Sequence, residues 1–506
     1  MSKGPQANRN TAFAENGINA TIDQLISQVQ KLYLSDSIPW VIGYSGGKDS
    51  TATLQLVWQA LLGLDAEQRT KPVHVISTDT LVENPVVALW VTRSLKIMEQ
   101  AANEQNLPIE PHRLLPEVKD RYWVNLIGRG YPAPRPKFRW CTSRLKINPS
   151  NKFILDLAEQ SGEAILVLGT RKAESSVRAA NMKKYEDAST RDLLSAHGQL
   201  DRSWVYTPIA DWSNDDVWLF LNQFKNPWGY TNKNLLGMYQ GATEDGECPL
   251  VVDTTTPSCG DSRFGCYVCT LVEKDKSMHA MIQNDEEKEW MLPMMEFRNK
   301  WLDIKQDRDK RDFRKMNGSL MVHNDRLVHG PYKQSYREEM LRALLESQKT
   351  AQGLAPEDIE DLELITLDEL DEIRRIWVTE KHEIEDHLPD IYRDVIGKQF
   401  PGADLVVNNA IDNDSLKELK AICNEHGDED GVRYQMIREL LHIEQEYRTM
   451  ARRAGLYPAL EKAVERGAFD NEADAEEFGL RRREAFAQIN NPPASTEVAD
   501  TSSTGQ

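Results

Sequence analysis

Six consecutive residues, Ser45-Gly46-Gly47-Lys48-Asp49-Ser50, combine the groups that hold a polyphosphate. Two glycines let a phosphate approach the backbone and expose amide N–H groups. Lys48 adds a point charge, and Ser45 and Ser50 add hydroxyls. Asp49 can cap amides or hold Mg2+ through oxygen. The spacing is not the G-x-x-x-x-G-K-[ST] loop: it is shorter, and an Asp follows the Lys. A second chemistry lies downstream. Cys248, Cys259, Cys266 and Cys269 form C-x10-C-x6-C-x2-C. Four thiolates so close in sequence suit a structural zinc or an iron–sulfur cluster, and spacing alone does not choose between them. Cys141 stands apart, among Arg139, Arg144 and Lys146, where basic neighbours can lower a thiol pKa. It reads either as a sulfur carrier or as a ligand in place of Cys248. Cys423 falls on an amphipathic helical pattern and reads as core.

The elements that must position these groups alternate. Ile22, Leu25, Ile26, Val29 and Leu32 predict a helix over 21–34, and the apolar run 40–44 predicts a buried strand ending at the glycine loop. Helices are expected at 51–64, 84–105, 151–160 and 214–224, and strands at 73–76, 108–115, 164–168 and 204–207. Such alternation predicts an α/β fold with a doubly wound parallel sheet. Ligands on such sheets bind at the carboxyl ends of the strands. The segments 45–50, 77–83 and 169–178 should therefore converge on one cleft, with Asp79 toward the nucleotide and Arg171 toward phosphate.

Composition bounds the rest. The 506 residues carry 61 Lys and Arg against 80 Asp and Glu, a net charge of −19, which excludes a general nucleic-acid-binding surface. Six cysteines are too few for a disulfide scaffold. The polar N-terminus shows no secretory signal and no run long enough for a membrane span, so a cytoplasmic protein is expected. One stretch departs from the acidic average. Between Leu126 and Leu155 there is no acidic residue and a charge of +7, with Tyr131, Phe138 and Trp140 interleaved. It suits a nucleic-acid backbone or nucleotide phosphate, or it is a solvated face. A second, mixed cluster at 305–315 reads as a salt-bridged helix face. Residues 357–372 carry nine acidic side chains and read as a solvated face or linker. The segmentation is a disordered N-terminus (1–20), a nucleotide-binding α/β domain (21–235), a cysteine-bearing accessory region (236–345), an acidic and mostly helical C-terminal region (346–490) and a disordered tail (491–506).

The glycine loop resembles the PP-loop of the ATP pyrophosphatases and phosphoadenylylsulfate reductases, whose fold is of the adenine nucleotide alpha hydrolase type. Gly169-Thr170-Arg171 with Glu174 and Arg178, and Pro208-Ile209 with Trp212, Asp216, Val217 and Trp218, resemble two further segments of that superfamily; Trp212 and Trp218 read as packing. Within it, Asn125 to Pro132 running into Phe138 to Thr142, and Ser258 to Thr270 followed by Asp275, Ser277 and Met278, are similar to the DndC family, the sulfurtransferases of bacterial DNA phosphorothioation. Arg311 to Arg314, Asn317-Gly318, Gly330-Pro331-Tyr332 and Tyr336-Arg337 continue the likeness, which spans about residues 35–340.

The resemblance implies that ATP is cut to AMP and pyrophosphate, that the clustered cysteines carry a [4Fe–4S] cluster, and that sulfur from a cysteine desulfurase replaces a non-bridging oxygen of the DNA backbone. It also implies a DndD-like ATPase and a DndE-like DNA-binding partner, with DNA reached through a local basic patch or a partner. Ser45, Gly46, Gly47 and Ser50 would cradle pyrophosphate, and Lys48 would offset its charge. A tRNA thiolase shares the loop and fits the basic stretch equally well, but no tRNA-binding module is recognisable. A phosphoadenylylsulfate reductase would need a redox cysteine near the C-terminus. A non-catalytic, ATP-sensing subunit is the reading from another class.

Overall fold

The computed structural model describes residues 11–187, 191–242, 264–357, 359, 362–402, 412–448, 450 and 452–490. Cys248, Cys259 and the tail from 491 lie outside them. Two compact units are discontinuous in sequence. The first comprises 1–122, 134–303 and 344–365; the second comprises 123–133, 304–343 and 366–506.

In the first unit, β1 (Trp40–Gly43) sits between β2 (Val73–Thr78) and β4 (Ala164–Val167), parallel to both. It is buried on both faces, which is why it reads as an unbroken apolar run. β3 (Ile109–Leu114) extends the sheet beyond β2, and β6 (Ser203–Tyr206) and the antiparallel β5 (Ser195–Ala196) extend it beyond β4. The order is β3-β2-β1-β4-β6-β5. The chain thus turns outward in both directions from the β1/β4 pair, and a crevice opens there at the carboxyl ends. Trp40 and Ile42 face one core with helices α1 (Gly17–Leu34), α2 (Lys48–Leu62) and α3 (Pro85–Glu104). Val41 faces the other, with Ile154 and Ala158 of α4 (Asn148–Ser161).

Local sequence places the helix starts. α3 begins at Asn84, whose side chain accepts the Val86 amide, with Pro85 at the first position. α6 (Asn214–Gln223) opens with a reciprocal Ser213–Asp216 box. Asp216 also accepts from the Thr11 hydroxyl and, at 3.1 Å, from the Ala12 amide. Phe13 packs edge-on against Trp212. Residues 11–20, expected to be disordered, are therefore held by a buried carboxylate and an aromatic contact. Trp212 and Trp218 are buried, as their reading as packing requires.

Three elements were not expected. α5 (Ser176–Asp187) buries no residue and so offers no apolar period. α7 (Asn232–Gly241) buries only Leu235 and Tyr239. β5 has two residues. Further along this unit come α8 (Lys276–Asn284) and α9 (Leu292–Trp301).

The second unit is mostly helical, as the sequence predicts beyond residue 280. A hairpin of β7 (Val322–His323) and β8 (Arg326–Leu327) turns on Asn324 and Asp325, both at positive φ. α10 (Gln334–Leu354), which belongs to this unit only up to residue 343, is followed by α11 (Leu367–Arg375), α12 (Leu388–Ile396), α13 (Asn413–Glu425), α14 (Val432–Arg448), α15 (Leu456–Gly467) and α16 (Glu472–Asn490). Phe313, Leu327, Val432 and Ala475 form a small core. Among the described residues no helix is long and apolar enough to cross a membrane.

Candidate functional site

The loop between β1 and α2 crosses the crevice of the first unit. Gly46 has φ +75, and a Cβ there would meet Val91 at 2.5 Å. Only glycine combines that backbone with that clearance. Ser50 Oγ accepts the Ser45 amide at 3.2 Å and donates to the Gly47 carbonyl at 3.0 Å, which closes the loop on itself. Trp90 Nε1 donates to the Gly46 carbonyl at 3.2 Å. α2 starts at Lys48, so its positive dipole end points into the crevice.

A cavity of about 900 Å3 occupies this place, lined in part by Ser45, Gly47, Lys48, Asp49 and Ser50. Its volume lies in the range of nucleotide-sized sites. Arg171 also lines it, buried, with Nε 2.7 Å from Asp49 Oδ1 and Nη1 3.2 Å from the Trp212 carbonyl. Gly169 is required because β4 ends against the first turn of α2, where a Cβ would meet the Asp49 carbonyl at 2.7 Å. Lys48 Nζ lies 3.5 Å from Asp49. Burial pulls its pKa below the ordinary lysine value, and Asp49 opposes that shift. Two buried cations, offset in part by Asp49 and Glu174, meet the start of α2 here and form a setting for a polyanion.

Asp79 does not reach this wall. It accepts the Leu81 amide at 2.8 Å and pairs with Arg113, Nε at 3.0 Å. Ser77, Thr78 and Glu83 line the cavity in its stead. The carboxylate expected toward the nucleotide instead fixes the loop after β2, where Leu81 has φ +62.

The thiols lie next to residues that line the same cavity. Residues 265–267 run against 82–84: the Asn84 amide donates to the Gly265 carbonyl and the Tyr267 amide to Val82. Gly265 lines the cavity, and Cys266 Sγ lies 3.6 Å from Thr80 Oγ1. Cys141 opens a widened helical turn over Thr142–Ile147, a form often found at functional sites. That turn carries Lys146 to the cavity wall, 3.1 Å from Glu83. Lys146 interacts electrostatically with both Cys141 and Cys266, and Cys269 with both thiols as well.

The expected acidic Cys141 is not found. Burial raises its pKa, and the neighbouring Cys269 thiol adds to that rise. Cys266 is pushed up to about 11, again by burial first, with Lys146 opposing. Without a metal these two thiols stay protonated near neutral pH, and a bound cation would have to displace the protons. Cys423 is buried on α13, as core.

Two positions beside the candidate site escaped the sequence reading. Tyr239 Oη accepts the Lys48 amide at 3.3 Å, and its ring lies 5.4 Å from Lys48 Nζ. Arg298 of α9 is buried and donates to the carbonyls of Cys269 (2.7 Å) and Glu273 (2.8 Å), which holds the C-x-x-C turn. Neither has a local motif; only the fold brings them there. The basic stretch divides between the units after Ala133. Arg144 pairs with Asp120, and Lys152 with Glu117 at 3.2 Å. Trp140 is buried and stacked on Tyr122, so it is not a platform for a base.

Residues 39–229 match the phosphoadenosine phosphosulfate reductase domain. The matched span takes in the sheet and the 45–50 loop. Residues 415–465 match the small protein found in certain Dnd DNA modification systems, a span that takes in α13, α14 and most of α15. The uncharacterized protein MJ0066 of Methanocaldococcus jannaschii is 27% identical over 248 residues, 49% of this chain and 39% of that protein. The chain thus spans about two-fifths of the relative it matches. Two solved structures align loosely. The U34-tRNA thiolase NcsA of Methanococcus maripaludis, with its [4Fe-4S] cluster, aligns at TM-score 0.27 and 13% identity, over 57% of this chain and 82% of that one. The FMN adenylyltransferase of Candida glabrata aligns at TM-score 0.25 and 12% identity, over 53% and 75%. Likenesses at these scores carry no weight for the chemistry of the site.

Proposed function

We propose that the protein is the ATP-dependent sulfurtransferase of a DNA backbone phosphorothioation system. One observation carries this reading: the PP-loop cavity and the Cys141–Cys266–Cys269 thiols share a wall through Lys146, Glu83 and Gly265. Phosphate activation and sulfur chemistry then take place side by side. The Dnd-associated segment at 415–465 supports DNA as the substrate.

ATP occupies the cavity with its β- and γ-phosphates on the 45–50 loop. A non-bridging oxygen of the DNA phosphodiester attacks the α-phosphorus, and pyrophosphate leaves. Lys48, Arg171 and the start of α2 stabilise the charge that grows on the leaving group. Asp49 holds Arg171 and is placed to accept Mg2+. Sulfur from a cysteine desulfurase arrives as a persulfide; its outer sulfur attacks the activated phosphorus and AMP leaves. A second thiol then attacks the inner sulfur of the P–S–S–R linkage, releasing the phosphorothioate and leaving a disulfide. Partners of the DndD and DndE kinds would present the duplex, since the chain carries −19 charges.

Cys141 joins Cys266 and Cys269 as a ligand of a [4Fe–4S] cluster, and Cys248 and Cys259 are the candidates for the fourth position. Such a cluster would supply an iron site or redox equivalents beside the nucleotide.

Mass spectrometry of nuclease-digested DNA and tRNA, from cells with and without the gene, tests the function. Loss of sulfur-bearing dinucleotides from DNA is expected. Loss of a tRNA thionucleoside with an unchanged DNA profile would replace this reading with a tRNA thiolase. For the cluster, Cys141→Ser should lower the iron content of anaerobically purified protein; unchanged iron would return Cys141 to the role of sulfur carrier.

A further inference from the structure

The edge of the sheet carries a second constellation, which neither the nucleotide nor the thiol chemistry uses. His74 on β2 is in register with Glu110 on the edge strand β3, and His112 lies two residues further on. Residues two apart on a strand share a face, so Glu110 and His112 stand together opposite His74. Phe153 of α4 packs on both imidazoles, with ring centroids 5.6 Å from His74 and 4.9 Å from His112. The three side chains therefore meet under α4. His74 is buried, His112 is partly covered, and Glu110 is exposed toward solvent.

Their ligand atoms converge. His74 Nδ1 lies 3.0 Å from His112 Nε2 and 3.2 Å from Glu110 Oε2; His112 Nε2 lies 3.9 Å from the same oxygen. Among the described residues this is the only trio of His, Cys, Asp and Glu whose ligand atoms all fall within 4.8 Å. A hydrogen-bonding account covers it poorly. Nδ1 of His74 faces two acceptor-capable atoms at once and has one proton to give. A cation at the centre accepts an electron pair from all three. Tetrahedral ligands at about 2.0–2.1 Å stand about 3.4 Å apart, and the three observed distances bracket that value.

We propose that His74, Glu110 and His112 form a binding site for one divalent transition-metal ion, with zinc the best match. Two imidazoles and one carboxylate suit zinc at this borderline softness, and the fourth position opens to solvent beside Glu110. The metal would pin the edge strand β3 to β2. Four residues beyond His74, β2 ends at Thr78 on the cavity wall, so the clip would brace that wall from behind.

Cobalt titration of the full-length chain tests this, with Co2+ as the probe and its cysteines alkylated beforehand. One Co2+ per chain is expected, with visible d–d absorption, no thiolate charge-transfer band, and displacement by Zn2+. His112→Ala and the surface variant Glu110→Gln should each weaken binding by at least about tenfold, while Cys141→Ser should leave it unchanged. Zn2+ should raise the thermal midpoint of the wild type and not of Glu110→Gln. Absence of binding by the alkylated protein, or binding equal in wild type and Glu110→Gln, would overturn the site. The Glu110→Gln arm stands even if His112→Ala folds poorly, because that carboxylate is exposed.

Discussion

Two buried arginines, one in each unit, are employed in opposite ways. Arg337 of the second unit directs every arm inward. It pairs with Glu383, donates to the carbonyls of Tyr332 (3.2 Å), Ile127 and Gly128 (both 3.4 Å), and lies 5.3 Å from the Trp377 ring. Arg171 of the first unit is equally covered, yet it lines a large cavity and shares Asp49 with Lys48. The first arginine ties chain segments together. The second faces a large cavity together with Lys48, Asp49 and Glu174. Burial and charge alone do not separate framework from site; the open volume in front does, about 900 Å3 at Arg171 and about 160 Å3 at Arg337.

Breaking the framework should cost the most. Glu383→Gln leaves the Arg337 charge buried, and a loss of about 3–5 kcal/mol in unfolding free energy is expected from denaturant melts of the second unit. A loss near zero would mean that Arg337 is not a framework residue. Lys48→Ala should act on chemistry instead. Pyrophosphate release is expected to fall by about 10²–10³-fold, in line with the removal of one transition-state donor, with iron content unchanged. Retained turnover would remove Lys48 from the site and dissolve the contrast.

A change of pH separates the units further. His382 of the second unit is held down to about 4, first by burial and then by His442, Arg466 and Arg438. The folded ring stays neutral while the unfolded ring takes up a proton near 6.5. That stability is full above about pH 6.5 and is lost as pH falls toward 4, by up to about 3 kcal/mol. Urea midpoints from pH 7 to 4.5 should show the fall, and His382→Gln should flatten it. The smallest effect is expected at Tyr239→Phe, which removes one acceptor from the Lys48 amide: about 1 kcal/mol, read as a several-fold rise in KM for ATP.

The nucleotide half was legible because its signals are local. The apolar runs at 40–44 and 164–168 are strands buried on both faces, and the glycine loop sits at the handover between a strand and a helix. The thiol half was legible in part. Cys266 and Cys269 were marked by their spacing, and Cys141 lies near them across more than a hundred residues of chain. The expected lowering of its pKa failed because burial outweighs the basic neighbours, of which Lys146 is already engaged by Glu83 and Arg144 by Asp120. Asp79 lies off the cavity wall, where Arg113, in register with Ser77 on the next strand, takes its carboxylate.

The sequence by itself determined what depends on neighbours in the chain: helix caps, the conformation of the phosphate loop, the α/β alternation and the C-x-x-C turn. Tertiary structure alone decided what depends on distant side chains meeting. Tyr239 beneath the loop, Arg298 behind the thiols, Arg337 with Glu383, and His74 beside Glu110 and His112 have no mutual spacing to read. Their placement follows from strand register and helix packing, which are settled by the burial of the whole core and not by any one segment.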